Sequence, residues 1–172
     1  MARNIEIKAR IESVEALAFK AAKLAIAEPI YLSQDDTFFK CESGRLKLRA
    51  FSENKGELIF YQRSNQAGPK ESFYVISPTA EPATLREALT LAHGQVGRVV
   101  KKRILYLIGQ TRVHLDIVEG LGHFLELEVV LSEIETTEAG VQIAHDLMAQ
   151  LGVTSEQLVE MAYVDLLANS KK

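Results

Sequence analysis

Charged residues occupy every second position in segments whose other positions are apolar. In residues 3–11, RNIEIKARI, Glu6 and Lys8 alternate with isoleucines. Residues 123–130, HFLELEVV, repeat the arrangement around Glu126. Because successive side chains of a strand point to opposite faces, this period of two predicts β-strands with one apolar and one charged face.

Eight segments show this alternation, with turn residues between them. They are residues 3–11, 28–41, 45–53, 57–64, 70–77, 97–108, 111–118 and 123–132. Eight strands are enough to close a sheet into a small barrel that holds side chains or one ligand. The stretch SNQAGPK at 64–70 predicts a hairpin turn.

Four further segments have helical patterns and recognisable ends. They are a run that begins at Ser13, residues 82–93 before Gly94, residues 136–151 before Gly152, and a run that begins at Thr154 with a capping box to Gln157 and ends near Leu167. The order of elements predicts an α+β fold. We expect a closed eight-stranded antiparallel β-barrel with helices packed outside, in one domain that spans residues 1–172.

The composition excludes several classes of protein. The chain has 172 residues, a net charge of −3 and 47% hydrophobic residues, which is typical of a globular protein and unlike one that coats nucleic acid or membranes. No segment resembles a signal peptide or a membrane span, and the single cysteine fits a reducing compartment. These features predict a cytoplasmic protein with neither a nucleic-acid nor a membrane partner.

The charged faces of the predicted strands carry more cations than carboxylates. The set comprises Glu6, Lys8, Arg45, Lys47, Arg49, Arg63, Lys101, Arg103, Arg112, Asp116, Glu126 and Glu128. One interpretation is a solvated outer face with ion pairs that contribute little. However, the amphipathic helices need the apolar faces, which would direct the charged faces into the barrel.

A confined lumen with excess cations needs an anionic ligand, because unpaired buried charges are costly. Arginine side chains match phosphate oxygens, and carboxylates suit Mg²⁺ or Mn²⁺. Together these residues predict a site for a metal ion and a triphosphate.

Several short motifs resemble those of the CYTH superfamily, the triphosphate tunnel enzymes. NIEIK is similar to its N-terminal ExExK pattern, with Asn4 at the first glutamate, and the segment VEGLGHFLELEV is close to the sub-group labelled class IV adenylate cyclase. The other motifs are LKLR with Lys47 and Arg49, VVKKR with Lys101 and Arg103, HLD with Asp116, and ELE with Glu126 and Glu128.

This resemblance implies a metal-dependent enzyme whose basic residues grip a triphosphate. The candidate catalytic residues are Glu6 and Lys8; the candidate substrate-binding residues are Lys8, Arg45, Lys47, Arg49, Arg63, Lys101, Arg103 and Arg112; and the candidate ligands of Mg²⁺ or Mn²⁺ are Glu6, Asp116, Glu126 and Glu128. Some hydrolytic members use a tyrosine and a lysine, and the nearest positions here are Phe38 and Arg63.

Three functions stay open. A class IV adenylate cyclase would convert ATP to cyclic AMP and pyrophosphate, whereas a triphosphatase would hydrolyse inorganic triphosphate or an organic one such as thiamine triphosphate. The third is a non-catalytic module that binds polyphosphate. The roles of two residues are also open. His114 either contacts phosphate or a metal ion, or is an ordinary hydrogen-bonded histidine. Tyr163 either closes one mouth of the tunnel or belongs to the core.

Overall fold

The computed structural model describes residues 2–63 and 68–170. The strands are β1 Ala2–Arg10, β2 Ile30–Phe39, β3 Arg45–Ser52, β4 Lys55–Arg63, β5 Lys70–Thr79, β6 Gln95–Ile108, β7 Thr111–Val118 and β8 Gly122–Leu131. The helices are α1 Val14–Leu24, α2 Pro82–His93, α3 Thr137–Leu151 and α4 Tyr163–Ser170, with a 3₁₀ turn at Ser155–Gln157. Residues 64–67 of the predicted hairpin turn lie outside the described residues.

The eight strands form a closed antiparallel barrel in the order β1-β5-β4-β3-β2-β6-β7-β8. Strand β1 closes it, because it pairs with β5 on one side and β8 on the other. Lys8 lies opposite Glu126 and Glu6 opposite Glu128 in the β1–β8 pair. The predicted fold class, an eight-stranded antiparallel barrel with helices outside, is therefore confirmed.

The hydrophobic core lies between the barrel wall and the outer helices. The outward-facing side chains of β1, Ile5 and Ile7, are at most 1% exposed and belong to a cluster that includes residues of α1 and α3. Helix α3 approaches the wall closely at Gly140, where an added Cβ would lie 2.6 Å from Ile5 Cγ1. Because the helices cover the apolar faces of these strands, the charged faces point into the barrel.

Two helix ends have the caps that the sequence predicts. The Ser13 hydroxyl accepts a hydrogen bond from the Ala16 amide at the start of α1. Gly152 ends α3 in the left-handed region, with φ 74° and ψ 26°, and its amide donates to carbonyls of the last turn. None of the helices in the described ranges is long and apolar enough to cross a membrane.

The prediction of one last helix from Thr154 to near Leu167 was wrong. The capping box of Thr154 and Gln157 is present, but it starts only the 3₁₀ turn. The next segment is extended, because the Val159 amide donates to the Lys8 carbonyl of β1 and Leu158 forms a bridge with Ala9. Helix α4 then begins at Tyr163.

Helix α4 closes one end of the barrel. Tyr163 and Val164 are each 6% exposed and pack in a second apolar cluster with Phe38, Val99 and other residues. Gly97 on β6 allows this approach, because an added Cβ there would overlap Val164 Cγ2.

Candidate functional site

The barrel encloses a cavity of about 280 Å³ with side chains from all eight strands in its wall. This wall contains seven Lys and Arg side chains and five carboxylates. The charged members are Glu6, Lys8, Asp36, Lys47, Arg49, Glu57, Arg63, Lys101, Arg103, Arg112, Glu126 and Glu128. An excess of cations in so confined a space favours a polyanionic ligand.

Ten of the twelve residues singled out in the sequence line this cavity, and Arg45 and Asp116 do not. Arg45 begins β3 at the end of the barrel where α4 lies, and its guanidinium forms an ion pair with Asp165 of that helix. Asp116 is fully buried beside the cavity.

Both carboxylate oxygens of Asp116 are engaged by other side chains. Arg103 donates from Nε to Oδ1 and from Nη2 to Oδ2, each over 2.7 Å, and the Tyr163 hydroxyl donates to Oδ2 over 2.7 Å. Burial opposes ionisation, but Arg103 holds the pKa of Asp116 below its usual value. Asp116 therefore orients the Arg103 guanidinium. Through its contact with Tyr163, Asp116 also links the barrel wall to α4.

A cluster of possible metal ligands lies on β7 and β8. His114, Glu126 and Glu128 each offer one ligand atom, and these atoms lie within 4.8 Å of one another. His114 stands opposite Glu126 in the strand pairing. Glu6, from β1, stands opposite Glu128 on the other side.

Several buried polar atoms around this cluster have no hydrogen-bond partner among the described residues. They include Asn4 Oδ1, Glu6 Oε2 and His114 Nδ1. Unsatisfied buried polar atoms are rare in native proteins and call for an explanation such as a bound ion. Oxygen atoms from carboxylates and amides, with one imidazole nitrogen, form a donor set that fits a divalent cation.

The cations of β3 and β6 converge on Asp36 of β2. Arg49 donates to both of its oxygens over 2.8 Å, Lys101 Nζ lies 3.1 Å from Oδ2, and Lys47 Nζ lies 3.6 Å from Oδ2. Burial opposes ionisation of Asp36, but these cations hold its pKa well below the usual range. Asp36 is therefore an anion that already sits among the candidate phosphate-binding groups.

Two lysines and one glutamate in the wall have pKa values close to neutrality. Burial lowers the pKa of Lys47 to about 7 and that of Lys8 to about 8. Burial and the nearby Glu128 raise the pKa of Glu6 to about 7, although Arg63 opposes this. These groups can exchange protons near pH 7.

Lys8 also contacts the segment before α4. Its ammonium donates to the Met161 carbonyl over 3.0 Å and lies 4.1 Å from the centre of the Tyr163 ring. Glu126 Oε1 is 3.8 Å from the same nitrogen. The lysine thus links the acidic cluster to the closed end of the cavity.

Sequence reasoning did not assign Asp36 to the site. Asp35 and Asp36 are adjacent and equally charged, and only the structure shows that Asp36 faces inward while Asp35 pairs outside with Arg98.

The sequence left open whether Tyr163 closes one mouth of the tunnel or belongs to the core, and the structure shows both. Tyr163 belongs to an apolar cluster and also lines the cavity at its closed end.

A tyrosine and a lysine do lie together in the cavity. Phe38 and Arg63, the positions that the sequence placed nearest to the family's tyrosine and lysine, both line it. However, Lys47 Nζ lies 5.1 Å from the centre of the Tyr61 ring and 5.7 Å from that of Phe38. Burial raises the pKa of Tyr61 to about 12, so its hydroxyl stays protonated.

Known proteins resemble this chain in sequence and in fold. The model of the CYTH domain matches residues 2–163. The chain is 26% identical over 177 residues to the adenylate cyclase CyaB of Aeromonas hydrophila, across 97% of this chain and 90% of that protein. The structure of the PH1012 protein of Pyrococcus horikoshii has a TM-score of 0.84 at 25% identity and covers 95% of this chain and 99% of its own.

A Hippeastrum protein, reported to have a dominant triphosphatase activity, has the same fold. Its TM-score is 0.66 at 16% identity, with 97% of this chain and 96% of that chain covered.

Proposed function

The chain belongs to the CYTH domain family, and we propose that it converts ATP to cyclic AMP and pyrophosphate within the barrel, with Mg²⁺ or Mn²⁺ as cofactor. The observation that carries this proposal is a cavity inside the barrel with excess cations beside a cluster of carboxylates and one imidazole. The name of the Aeromonas relative, adenylate cyclase, supports cyclisation as the reaction.

The cations that meet at Asp36 form part of the proposed triphosphate clamp. Arg49 and Lys101 already direct donors at one carboxylate, so their charges are aligned before substrate binds. Positively charged groups fixed in this way stabilise the charge that develops on phosphate oxygens. The remaining members of the proposed clamp are Lys8, Lys47, Arg63, Arg103 and Arg112.

Glu126 and Glu128 would hold the divalent ion, with Glu6 beside them. A bound Mg²⁺ or Mn²⁺ would neutralise negative charge on the phosphate oxygens of the substrate. Asp116, which the sequence placed in the ligand set, has both oxygens committed to Arg103 and Tyr163. We assign it instead a positioning role toward Arg103.

In the proposed reaction, the ribose 3′-oxygen forms a bond to the α-phosphorus. The bond from that phosphorus to the α–β bridging oxygen breaks, and pyrophosphate leaves. Glu6, which lines the cavity and lies opposite Glu128 in the β1–β8 pair, accepts the hydroxyl proton. Lys8, which carries a proton below pH 8, stabilises negative charge on the pyrophosphate.

Hydrolysis of a triphosphate is the second candidate, and one observation favours it. Lys47 has a pKa of about 7 and lies next to Tyr61, so its neutral amine could accept a proton from an attacking water. The Hippeastrum protein, which has the same fold, is reported to have a dominant triphosphatase activity, and this supports hydrolysis as a candidate.

One assay separates the two reactions. The protein is given ATP or inorganic triphosphate, with Mg²⁺ or Mn²⁺, and cyclic AMP and orthophosphate are measured. Cyclic AMP from ATP supports the proposal, and orthophosphate release without cyclic AMP overturns it in favour of hydrolysis. Thermal stabilisation by triphosphate without either product would identify a binding module.

A pair of variants tests the role of Glu6. We expect Glu6→Gln to lower the rate of cyclic AMP formation by about 100-fold or more, as for loss of a general base. Glu12→Gln, an exposed position just beyond β1, is the matched control and should keep full activity. Equal rates for both variants would remove Glu6 from the mechanism.

A further inference from the structure

His114 is a buried histidine whose Nδ1 atom lies near the carboxylates of Glu126 and Glu128 but forms no hydrogen bond with them. The residue is 4% exposed, and Nδ1 lies 3.2 Å from Glu128 Oε1. The atoms are not aligned as a hydrogen bond, and Nδ1 has no other partner in the described part of the chain. Such an atom, aimed into an acidic cluster, is suited to coordinate a cation.

The two glutamates are already oriented by arginines. Arg112 donates to Glu128 Oε2 over 2.9 Å, and Arg103 Nη2 lies 3.4 Å from Glu126 Oε2. Asn4 donates to Glu128 Oε2 as well, over 3.0 Å. Because Arg112 and Asn4 both hold Oε2, the other oxygen of Glu128, Oε1, is directed at His114. Hydrogen bonds of this kind, from residues around a metal site, fix the orientation of the metal ligands.

We propose that His114 Nδ1 joins one oxygen of Glu126 and one of Glu128 in a mixed nitrogen and oxygen site that prefers Mn²⁺, or another first-row transition ion, to Mg²⁺. The inference rests on the proposed metal-dependent function and names the cofactor. Mg²⁺ prefers oxygen ligands and gives up water reluctantly, whereas imidazole is a good ligand for first-row transition ions.

Three atoms from two neighbouring strands suit such a site. They lie within 4.8 Å of one another, and His114 and Glu126 are paired across β7 and β8. Both strands are held in the closed barrel, so the ligands are positioned before any ion binds. Water or phosphate oxygens would complete the coordination of the ion.

The test measures metal binding directly, on the full chain without substrate. Calorimetry gives the affinities for Mn²⁺ and Mg²⁺, and electron spin echo spectroscopy of bound Mn²⁺ detects coupling to a ¹⁴N nucleus. We expect ¹⁴N coupling in the wild type and at least about tenfold tighter binding of Mn²⁺ than of Mg²⁺. Absence of ¹⁴N coupling in the wild type would overturn the proposal without any variant.

The variant His114→Gln should lose the ¹⁴N coupling and weaken Mn²⁺ binding by about 10- to 100-fold, with a smaller effect on Mg²⁺. His145→Gln, on the exposed side of α3, is the control and should change neither. Mn²⁺ binding by a folded His114→Gln variant with wild-type affinity would overturn the proposal, and its thermal unfolding shows whether it is folded.

Failure of the site and failure of the proposed function give different results. Nitrogen-coupled Mn²⁺ in a protein that forms no cyclic AMP supports the site and rejects the cyclase function. Cyclic AMP formation by a protein whose Mn²⁺ shows no ¹⁴N coupling supports the function and rejects the site.

Discussion

Asp36 accepts two parallel hydrogen bonds from Arg49, each 2.8 Å long, in the interior of the barrel. Lys101 and Lys47 approach the same carboxylate. One buried anion therefore holds three cations whose mutual repulsion would otherwise oppose folding. A triphosphate that enters the cavity adds negative charge to a cluster that is only partly neutralised.

Asp36→Asn should reduce the free energy of unfolding by about 3–5 kcal/mol, because it leaves buried cations without their partner. Asp35→Asn is the matched control: that side chain is 30% exposed and pairs with Arg98, so a loss of about 1 kcal/mol or less is expected. Inorganic triphosphate should raise the Tm of Asp36→Asn more than that of the wild type. Thermal unfolding with and without triphosphate checks both points, and equal losses for the two variants would contradict this account.

Tyr163→Phe should destabilise the closed end of the barrel. It removes the hydrogen bond to the Asp116 carboxylate but keeps the ring, whose centre lies 4.9 Å from that of Phe124. A hydrogen bond to a charged group contributes about 1.5–3 kcal/mol, and urea unfolding should show a loss in that range. Tyr31→Phe, at a side chain that is 73% exposed, should leave the unfolding midpoint unchanged.

Triphosphate binding should weaken as the pH rises through neutrality. Burial, and then the charge of Arg49, lower the pKa of Lys47 to about 7, so the free protein carries this charge below pH 7 and loses it above. An anionic ligand favours the charged form, and binding at pH 8 should therefore be accompanied by proton uptake.

Calorimetry in buffers of different ionisation enthalpy measures this uptake. Lys47→Arg keeps its charge at all these pH values and should show a smaller loss of affinity between pH 6 and 8.5. Lys40→Arg, at an exposed position, should behave like the wild type. The same ligand is used throughout, so its own titration cancels, and identical pH profiles for both variants would remove Lys47 from the site.

Gly97→Ala should push α4 away from β6, because the new methyl group would overlap Val164. Overpacking of this kind costs about 1–3 kcal/mol. In a Val164→Ala background the same substitution should cost clearly less, since the space is then open. Unfolding free energies of the two single variants and the double variant give the coupling, and strict additivity would show that the contact does not limit how closely α4 packs.

The barrel could be predicted from sequence because the period of two is strong in strands such as β1 and β8. Where Glu6 and Lys8 alternate with isoleucines, a shift by one residue would bury charges against the helices, so the faces are unambiguous. Asp36 could not be assigned in this way, because its neighbour Asp35 carries the same charge and the pattern does not show which one faces inward.

The details that sequence missed depend on contacts between distant segments. The end of the 3₁₀ turn at Gln157 depends on a hydrogen bond from Val159 to Lys8, which no local capping signal reveals. The Asp116 carboxylate likewise accepts a hydrogen bond from Tyr163. Tyr163 reaches this position because the extended segment around Val159 precedes it. Local patterns predict elements, whereas these pairings arise only when the first and last elements meet.

The closure of the barrel by β1 has a consequence for how the chain folds. Lys8 pairs with Glu126, so the ring of hydrogen bonds cannot be completed until the eighth strand has joined the first. Bringing such distant segments together costs loop entropy, and we expect this step to be slow and late. Until then β1 and β8 each present an open strand edge, and the edges of two newly made chains can pair with each other and start aggregation.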